Sequence, residues 1–127
     1  MMEAGVLLDL DGHPIYWHTP NDRSGGALPD SRDLWEVIWE NRANLLGFAH
    51  SHPGYGKPGP SHTDLTTFIA IEEGLGKHLQ WWIASGDCLA VVLHAGERPD
   101  QFVVCQCKAP EVVHWLPELR RLSGFPI

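Results

Sequence analysis

Short apolar runs alternate with longer amphipathic segments along the chain, which predicts a mixture of strands and helices. EAGVLLDLDGHPIYWHTP contains two β-prone runs around Asp11-Gly12, a strong signal for a β-hairpin. LLGFAH is almost wholly apolar, which favours a central strand buried on both faces. Three further strands are predicted in LQWWIAS, DCLAVVLHAG and DQFVVCQCKA.

An amphipathic helix is predicted in PDSRDLWEVIWENRANL. Either Asp30 or Ser31 can cap its first turn, and it is expected to end near residues 42–44. Four apolar positions recur at helical spacing and are expected to face the core together: Leu34, Trp35, Ile38 and Trp39.

A second helix is predicted in SHTDLTTFIAIEEGLG, where Ser61 is the cap and Gly74 or Gly76 the stop. The tail PEVVHWLPELRRL is only weakly helical, and Pro117 is expected to interrupt it. The resulting order, β-β-α-β-α-β-β-β-α, predicts an α+β or mixed-sheet domain in which helices pack on the sheet.

Length and composition describe an ordinary globular domain. The chain has 127 residues, of which 43% are hydrophobic and 20% charged, so residues 1–127 are expected to form a single domain with its own core. The net charge is −7 and no basic cluster is present, which argues against nucleic-acid binding. No apolar run approaches the ~20 residues that span a bilayer. Three cysteines without framework spacing are typical of reduced thiols, and we expect a cytoplasmic protein.

The stretch GFAHSHPGYGKPGPSHTDLTTF concentrates chemically active side chains. In a strand, His50 and His52 point to the same face, so both imidazoles can bind one metal ion at about 2.0–2.1 Å. Pro53 cannot donate to a sheet ladder, so the strand should end directly after the second histidine. The remaining six histidines are expected at the surface or at the edge of the core.

Asp64 and Ser61 extend this pattern. The glycine- and proline-rich loop can turn the chain back so that the Asp64 carboxylate, in the first turn of the helix, faces the end of the strand. Two histidines and one carboxylate leave the fourth position of a zinc ion for water, as in catalytic sites. Ser61 is expected to cap the helix, and its hydroxyl can also donate to an oxyanion.

His50-Ser51-His52-Pro53 followed by Ser61-His62-Thr63-Asp64 resembles the motif of the JAMM (MPN-plus) zinc metallopeptidases. The resemblance covers most of residues 3–95. It implies an α/β sandwich around a curved mixed sheet, a cytidine-deaminase-like JAMM/MPN fold, with one zinc ion held by His50, His52 and Asp64. It also implies hydrolysis of a peptide or isopeptide bond, with protein or peptide substrates such as ubiquitin-like or sulfur-carrier proteins that end in Gly-Gly.

The same resemblance implies a glutamate as general base. Glu3, just before an apolar strand, matches the strand side of the family pattern, and Glu36 and Glu40 on the first helix are alternatives. A residue so near the start of a chain is ordinarily frayed and solvated. The loop between Pro53 and Ser61 is one residue longer than is usual in the family, a difference that its glycines can absorb.

A non-catalytic MPN-type binding scaffold is the alternative function. The chain has six tryptophans, and exposed aromatic side chains are typical of protein interfaces. They include the pairs Trp35/Trp39 and Trp81/Trp82. A homo-oligomer is compatible with this composition. The enzyme hypothesis is favoured because the complete motif of His50, His52, Ser61 and Asp64 is present, whereas non-catalytic relatives usually lack part of it.

Overall fold

A six-stranded mixed sheet lies at the centre of the molecule. A computed structural model describes residues 1–126. The strands of this described part are β1 (Gly5–Asp9), β2 (Pro14–His18), β3 (Leu45–Ser51), β4 (Gln80–Ala84), β5 (Leu89–His94) and β6 (Phe102–Gln106).

The strands are arranged in the order β2-β1-β3-β4-β5-β6. β3 and β4 are parallel, and every other neighbouring pair is antiparallel. β1 and β2 form the predicted hairpin, and β3 is the predicted central strand between β1 and β4. The predicted α+β class, with helices packed on a mixed sheet, is therefore confirmed.

Helices cover both faces of the sheet. They are α1 (Arg32–Glu40), α2 (His62–Leu75) and α3 (Leu116–Ser123), with short 3-10 turns at Arg42–Asn44 and Pro110–Val112. Residues of α1 and α2 share one hydrophobic core with the sheet, represented by Ile38, Phe68 and Trp81. α3 packs on the opposite face, where Leu116 and Leu119 contact the core formed by β1, β3 and β5.

The buried face of α1 is narrower than the sequence predicts. Leu34 and Ile38 are buried, but Trp35 and Trp39 are 41% and 56% exposed, so the expectation that all four face the core is wrong. Each tryptophan comes one position after a buried residue of α1, so its side chain points away from the core and contacts other groups. Trp35 Nε1 donates to Asp30 at 2.8 Å, and the Arg42 guanidinium lies 4.0 Å from the centre of the Trp39 ring.

The caps of α1 and α2 are those predicted from the sequence, whereas the predicted interruption of the last helix by Pro117 is wrong. Ser31 caps α1, and α2 begins after Ser61 and ends at Gly76. Pro117 does not interrupt a helix, because it lies in the first turn of α3, where its missing N–H would have no intrahelical partner. Among the described residues, no helix has both the length and the apolar character needed to cross a membrane.

Candidate metal centre

The carboxyl end of β3 brings the two motif histidines together. Their Nε2 atoms are 3.0 Å apart, and His50 is 4% exposed. The pairing with β4 continues one residue past the end of β3, because the backbone N–H of His52 donates to Ala84 O at 2.8 Å. This bond holds the backbone of His52 in line with the strand before Pro53 starts the loop.

Asp64 completes a group of three donor residues. Its Oδ1 lies 3.3 Å from His50 Nε2, and its Oδ2 lies 3.1 Å from His52 Nε2. Ligand atoms at the corners of a tetrahedron with bonds of about 2.0–2.1 Å are about 3.3 Å apart. Each of the three separations is close to that between two ligands of one tetrahedral ion, with a different Asp64 oxygen facing each histidine.

A capping box fixes Asp64 in this position. The backbone N–H of Asp64 donates to Ser61 Oγ at 3.0 Å, and the backbone N–H of Ser61 donates to Asp64 Oδ2 at 2.9 Å. Burial by itself would raise the pKa of Asp64, but hydrogen bonds from His50 and His52 outweigh it and hold the pKa far below its usual value. The carboxylate is thus ionised, the form that binds a metal.

The loop from β3 to α2 is anchored to the turn between β4 and β5. Gly54 O accepts from the backbone N–H of Gly86 at 2.8 Å, and Gly56 O accepts from Ser85 Oγ at 2.6 Å. Gly54 and Gly56 have φ values of +136° and +92°, which residues with a side chain rarely adopt. These glycines allow the chain to turn back so that Asp64 reaches the two histidines.

Glu3 lies beside the donor group. One carboxylate oxygen of Glu3 and the ring nitrogens of His50 and His52 all lie within 4.8 Å of one another. The residue is only 7% exposed. Burial raises the pKa of the Glu3 carboxyl, and the nearby imidazoles of His50 and His52 partly oppose this rise.

The backbone around Glu3 is held on both sides, so the fraying expected near a chain end does not occur. The Glu3 N–H donates to Ser24 O at 2.8 Å, and Arg23 Nη1 donates to Glu3 O at 3.1 Å. The Met2 N–H donates to Ser123 O at 2.9 Å at the end of α3. The loop after β2 and the last helix together position Glu3.

The two alternative glutamates do not share this environment. Glu36 and Glu40 are exposed on α1, and Glu36 Oε1 accepts from Arg32 Nε at 2.8 Å. Of the three glutamates considered from the sequence, Glu3 is the one that the fold brings to the histidines.

A cavity of about 580 Å³ opens beside the donor group and extends between α1, α2 and the sheet. Glu3, His50, Ser61 and Asp64 form part of its wall. His18 also lines it and is only 2% exposed, so the expectation that this histidine lies at the surface or core edge is wrong. His18 Nε2 donates to Pro29 O at 2.6 Å, a contact between β2 and the loop before α1 that no local motif predicts.

A second acidic group lies at the β1–β2 turn. Asp9, Asp11 and His13 bring their ligand atoms within 4.8 Å of one another, but Asp11 and His13 are exposed. Asp9 Oδ1 accepts backbone N–H groups of Asp11 and His13, both at 2.9 Å, which is the ordinary way an aspartate stabilises a tight turn.

No model of a known protein family matches the sequence, and no curated protein matches it at a significant level.

Proposed function

We propose that this protein is a zinc-dependent metallopeptidase of the JAMM type. It hydrolyses a peptide or isopeptide bond next to the Gly-Gly tail of a ubiquitin-like or sulfur-carrier protein. One observation carries the proposal: the Nε2 atoms of His50 and His52 lie 3.0 Å apart and each lies 3.1–3.3 Å from an Asp64 oxygen, while a Glu3 carboxylate oxygen lies within 4.8 Å of a ring nitrogen of both histidines.

The donor set suits zinc and leaves a coordination position free. Two imidazoles and one carboxylate are a ligand set of catalytic zinc sites, in which the fourth position takes water or substrate. When bound, zinc supplies a Lewis acid that activates water at neutral pH and polarises a carbonyl oxygen. The chain's contribution is to hold the three ligands in place, through the β3–β4 pairing and the capping box of α2.

Glu3 is the general base of this proposal. Burial raises the pKa of its carboxyl, which brings its proton affinity closer to that needed at neutral pH. Glu3 takes a proton from the attacking water as the new C–O bond forms. It returns that proton to the nitrogen of the leaving amine as the C–N bond breaks.

Ser61 stabilises the oxyanion. Its Oγ accepts the Asp64 N–H with a lone pair, so the cap does not use the hydroxyl hydrogen. Capping and donation to an oxyanion are therefore compatible for this one side chain. Loss of one oxyanion donor typically lowers the rate about 10²–10³-fold.

A non-catalytic binding scaffold is the second candidate. The exposed Trp35 and Trp39 on α1 favour it, since aromatic side chains are enriched at protein interfaces. In that case the donor group stabilises the fold, and no bond is cleaved.

Metal analysis and cleavage assays test both functions. Purified wild-type protein should contain about one zinc ion per chain, and His52→Ala and Asp64→Asn should each remove it. His62→Ala, an exposed histidine two residues from Asp64, is the matched control and should keep the metal. Full zinc occupancy in both ligand variants would overturn the ligand assignment. Zinc binding without cleavage of any Gly-Gly fusion would favour the scaffold.

A further inference from the structure

The cavity beside the donor group is shaped for an apolar occupant. Most of its lining residues are apolar: Leu28, Pro29 and Phe48 are half-buried, and core residues such as Ile38, Phe68 and Trp81 line it with almost no exposed surface. A volume of about 580 Å³ lies in the range of sites for small organic groups, about 300–1,000 Å³. It is large enough for the bulkiest apolar side chain.

The cavity is continuous with the proposed reaction centre. Phe48 and His50, two positions apart on the same face of β3, both line it, so the cavity begins at the end of the strand that carries the histidines. Glu3 and Ser61, the proposed base and oxyanion donor, line it as well. A group that enters the cavity from the centre must therefore be attached to the substrate close to the bond that is cleaved.

The polar side chains of His18 and Asp30, which also line the cavity, do not select a polar occupant. His18 already donates to Pro29 O, and Asp30 already accepts from Trp35 Nε1. Three carboxylates, those of Glu3, Asp30 and Asp64, line the cavity, so an anionic group would be repelled. A polar side chain placed among the leucine, isoleucine and aromatic residues would lose its hydrogen bonds to water.

We propose that this cavity binds a bulky apolar side chain of the substrate residue on the leaving-amine side of the scissile bond. The inference rests on the proposed function: if the acyl side ends in Gly-Gly, it has no side chain to offer, so the occupant belongs to the residue whose amine leaves. For peptide bonds, the protein thus selects leucine- or phenylalanine-like residues after Gly-Gly, whereas an isopeptide bond, whose leaving amine is a lysine side chain, does not fill the cavity.

Fusions of the form Gly-Gly-X test the selection. We expect kcat/KM to be at least about tenfold higher for X = Phe or Leu than for X = Gly, since each buried methylene is worth about tenfold or more. Asn, a polar counterpart of Leu, should behave like Gly. Equal rates for all four residues, or a preference for Gly or Asn, would overturn the inference.

Two neighbouring threonines of α2 provide a matched pair. Both are exposed, and Thr67 lines the cavity, whereas Thr66 lies outside its wall and bonds to His62 O. Thr67→Trp should block the cavity and lower the Phe/Gly ratio of kcat/KM at least about fivefold. Thr66→Trp should leave this ratio unchanged. Equal effects of the two variants would contradict the assignment.

Binding of N-phenyl-1-naphthylamine to the purified protein gives a readout that does not depend on activity. We expect wild type and Thr66→Trp to bind this neutral apolar fluorophore alike, and Thr67→Trp at least about fivefold more weakly. No binding, or equal binding by all three proteins, would overturn the cavity assignment. If the fluorophore binds as expected but no fusion is cleaved, the peptidase proposal fails and the substrate assignment with it. If the fusions are cleaved at equal rates whatever residue X is, the cavity inference fails but the peptidase proposal stands.

Discussion

The hydroxyl oxygen of Ser51 accepts a hydrogen bond of 2.9 Å from the backbone N–H of Ala4. Ser51 lies between the two histidines, and Ala4 directly follows Glu3, so this bond fixes the proposed base relative to the proposed ligands. The backbone N–H of Ser51 also donates to Ala4 O at 2.9 Å, so two hydrogen bonds join these residues. Ser51 is fully buried, so water does not compete for either bond.

Glu3→Gln should keep the metal and lose the activity. The amide has nearly the shape of the carboxylate and leaves His50, His52 and Asp64 in place, but it cannot take a proton. We expect about one zinc ion per chain and a loss of kcat of about 10²–10⁴-fold, the usual contribution of general acid–base catalysis. Metal analysis and single-turnover cleavage of a Gly-Gly fusion measure the two quantities.

Glu36→Gln is the control for this change, because Glu36 is an exposed alternative on α1 that pairs with Arg32. Its activity should equal that of wild type. If Glu3→Gln retained activity and Glu36→Gln lost it, the base would be Glu36, and Glu3 would have only a structural role.

Ser61→Ala should affect both stability and catalysis, whereas Ser31→Ala should affect stability alone. Each serine is the N-cap of a helix, and loss of such a cap costs about 0.5–2 kcal/mol of unfolding free energy. Only Ser61 lies beside the donor group, so only its loss should lower kcat, by about 10²-fold or more. Urea unfolding and steady-state kinetics separate the effects. Equal kcat values for the two variants would exclude Ser61 as an oxyanion donor.

The parts of the molecule that the sequence predicts are those with local causes. Asp11-Gly12 determines a hairpin turn within a few residues, and Ser61 with Asp64 forms a capping box within one helical turn. His50 and His52 share a face because side chains in any strand alternate. These local rules together suffice to predict the donor group of His50, His52 and Asp64, but not the position of Glu3 beside it.

The remaining features depend on packing between distant segments. Glu3 reaches the histidines only because β1 pairs with β3 in a register that places Gly5 opposite His50. The burial of His18 depends on the loop that carries Pro29. Trp35 satisfies every rule of a core position on an amphipathic helix, but α1 is turned so that Leu34 and Ile38 occupy that face instead. Periodicity cannot distinguish these arrangements.

Glu72→Leu should strongly destabilise the protein. Glu72 is a buried carboxylate on α2 whose Oε2 accepts the Leu79 N–H and the Trp81 indole N–H, both at 2.9 Å. A leucine of similar size leaves both donors buried without an acceptor, at about 1–3 kcal/mol each. We expect a loss of about 2–5 kcal/mol in urea unfolding. Glu73→Leu, the exposed neighbour, should change stability by less than about 0.5 kcal/mol, and equal effects would refute the role of this network.

His18 should make the protein less stable in mild acid. Burial lowers the pKa of His18, although the bond to Pro29 O opposes this, so the unfolded chain takes up a proton that the folded protein resists. The unfolding free energy should therefore fall as the pH drops below about 6.5, the ordinary value for histidine. His18→Gln keeps a donor for Pro29 O but cannot titrate. We expect a smaller loss of stability between pH 7.5 and pH 5 for this variant, measured by urea unfolding.

His114→Gln, at an exposed histidine, should lose as much stability as wild type. The same loss in all three proteins would show that His18 does not contribute to the acid sensitivity.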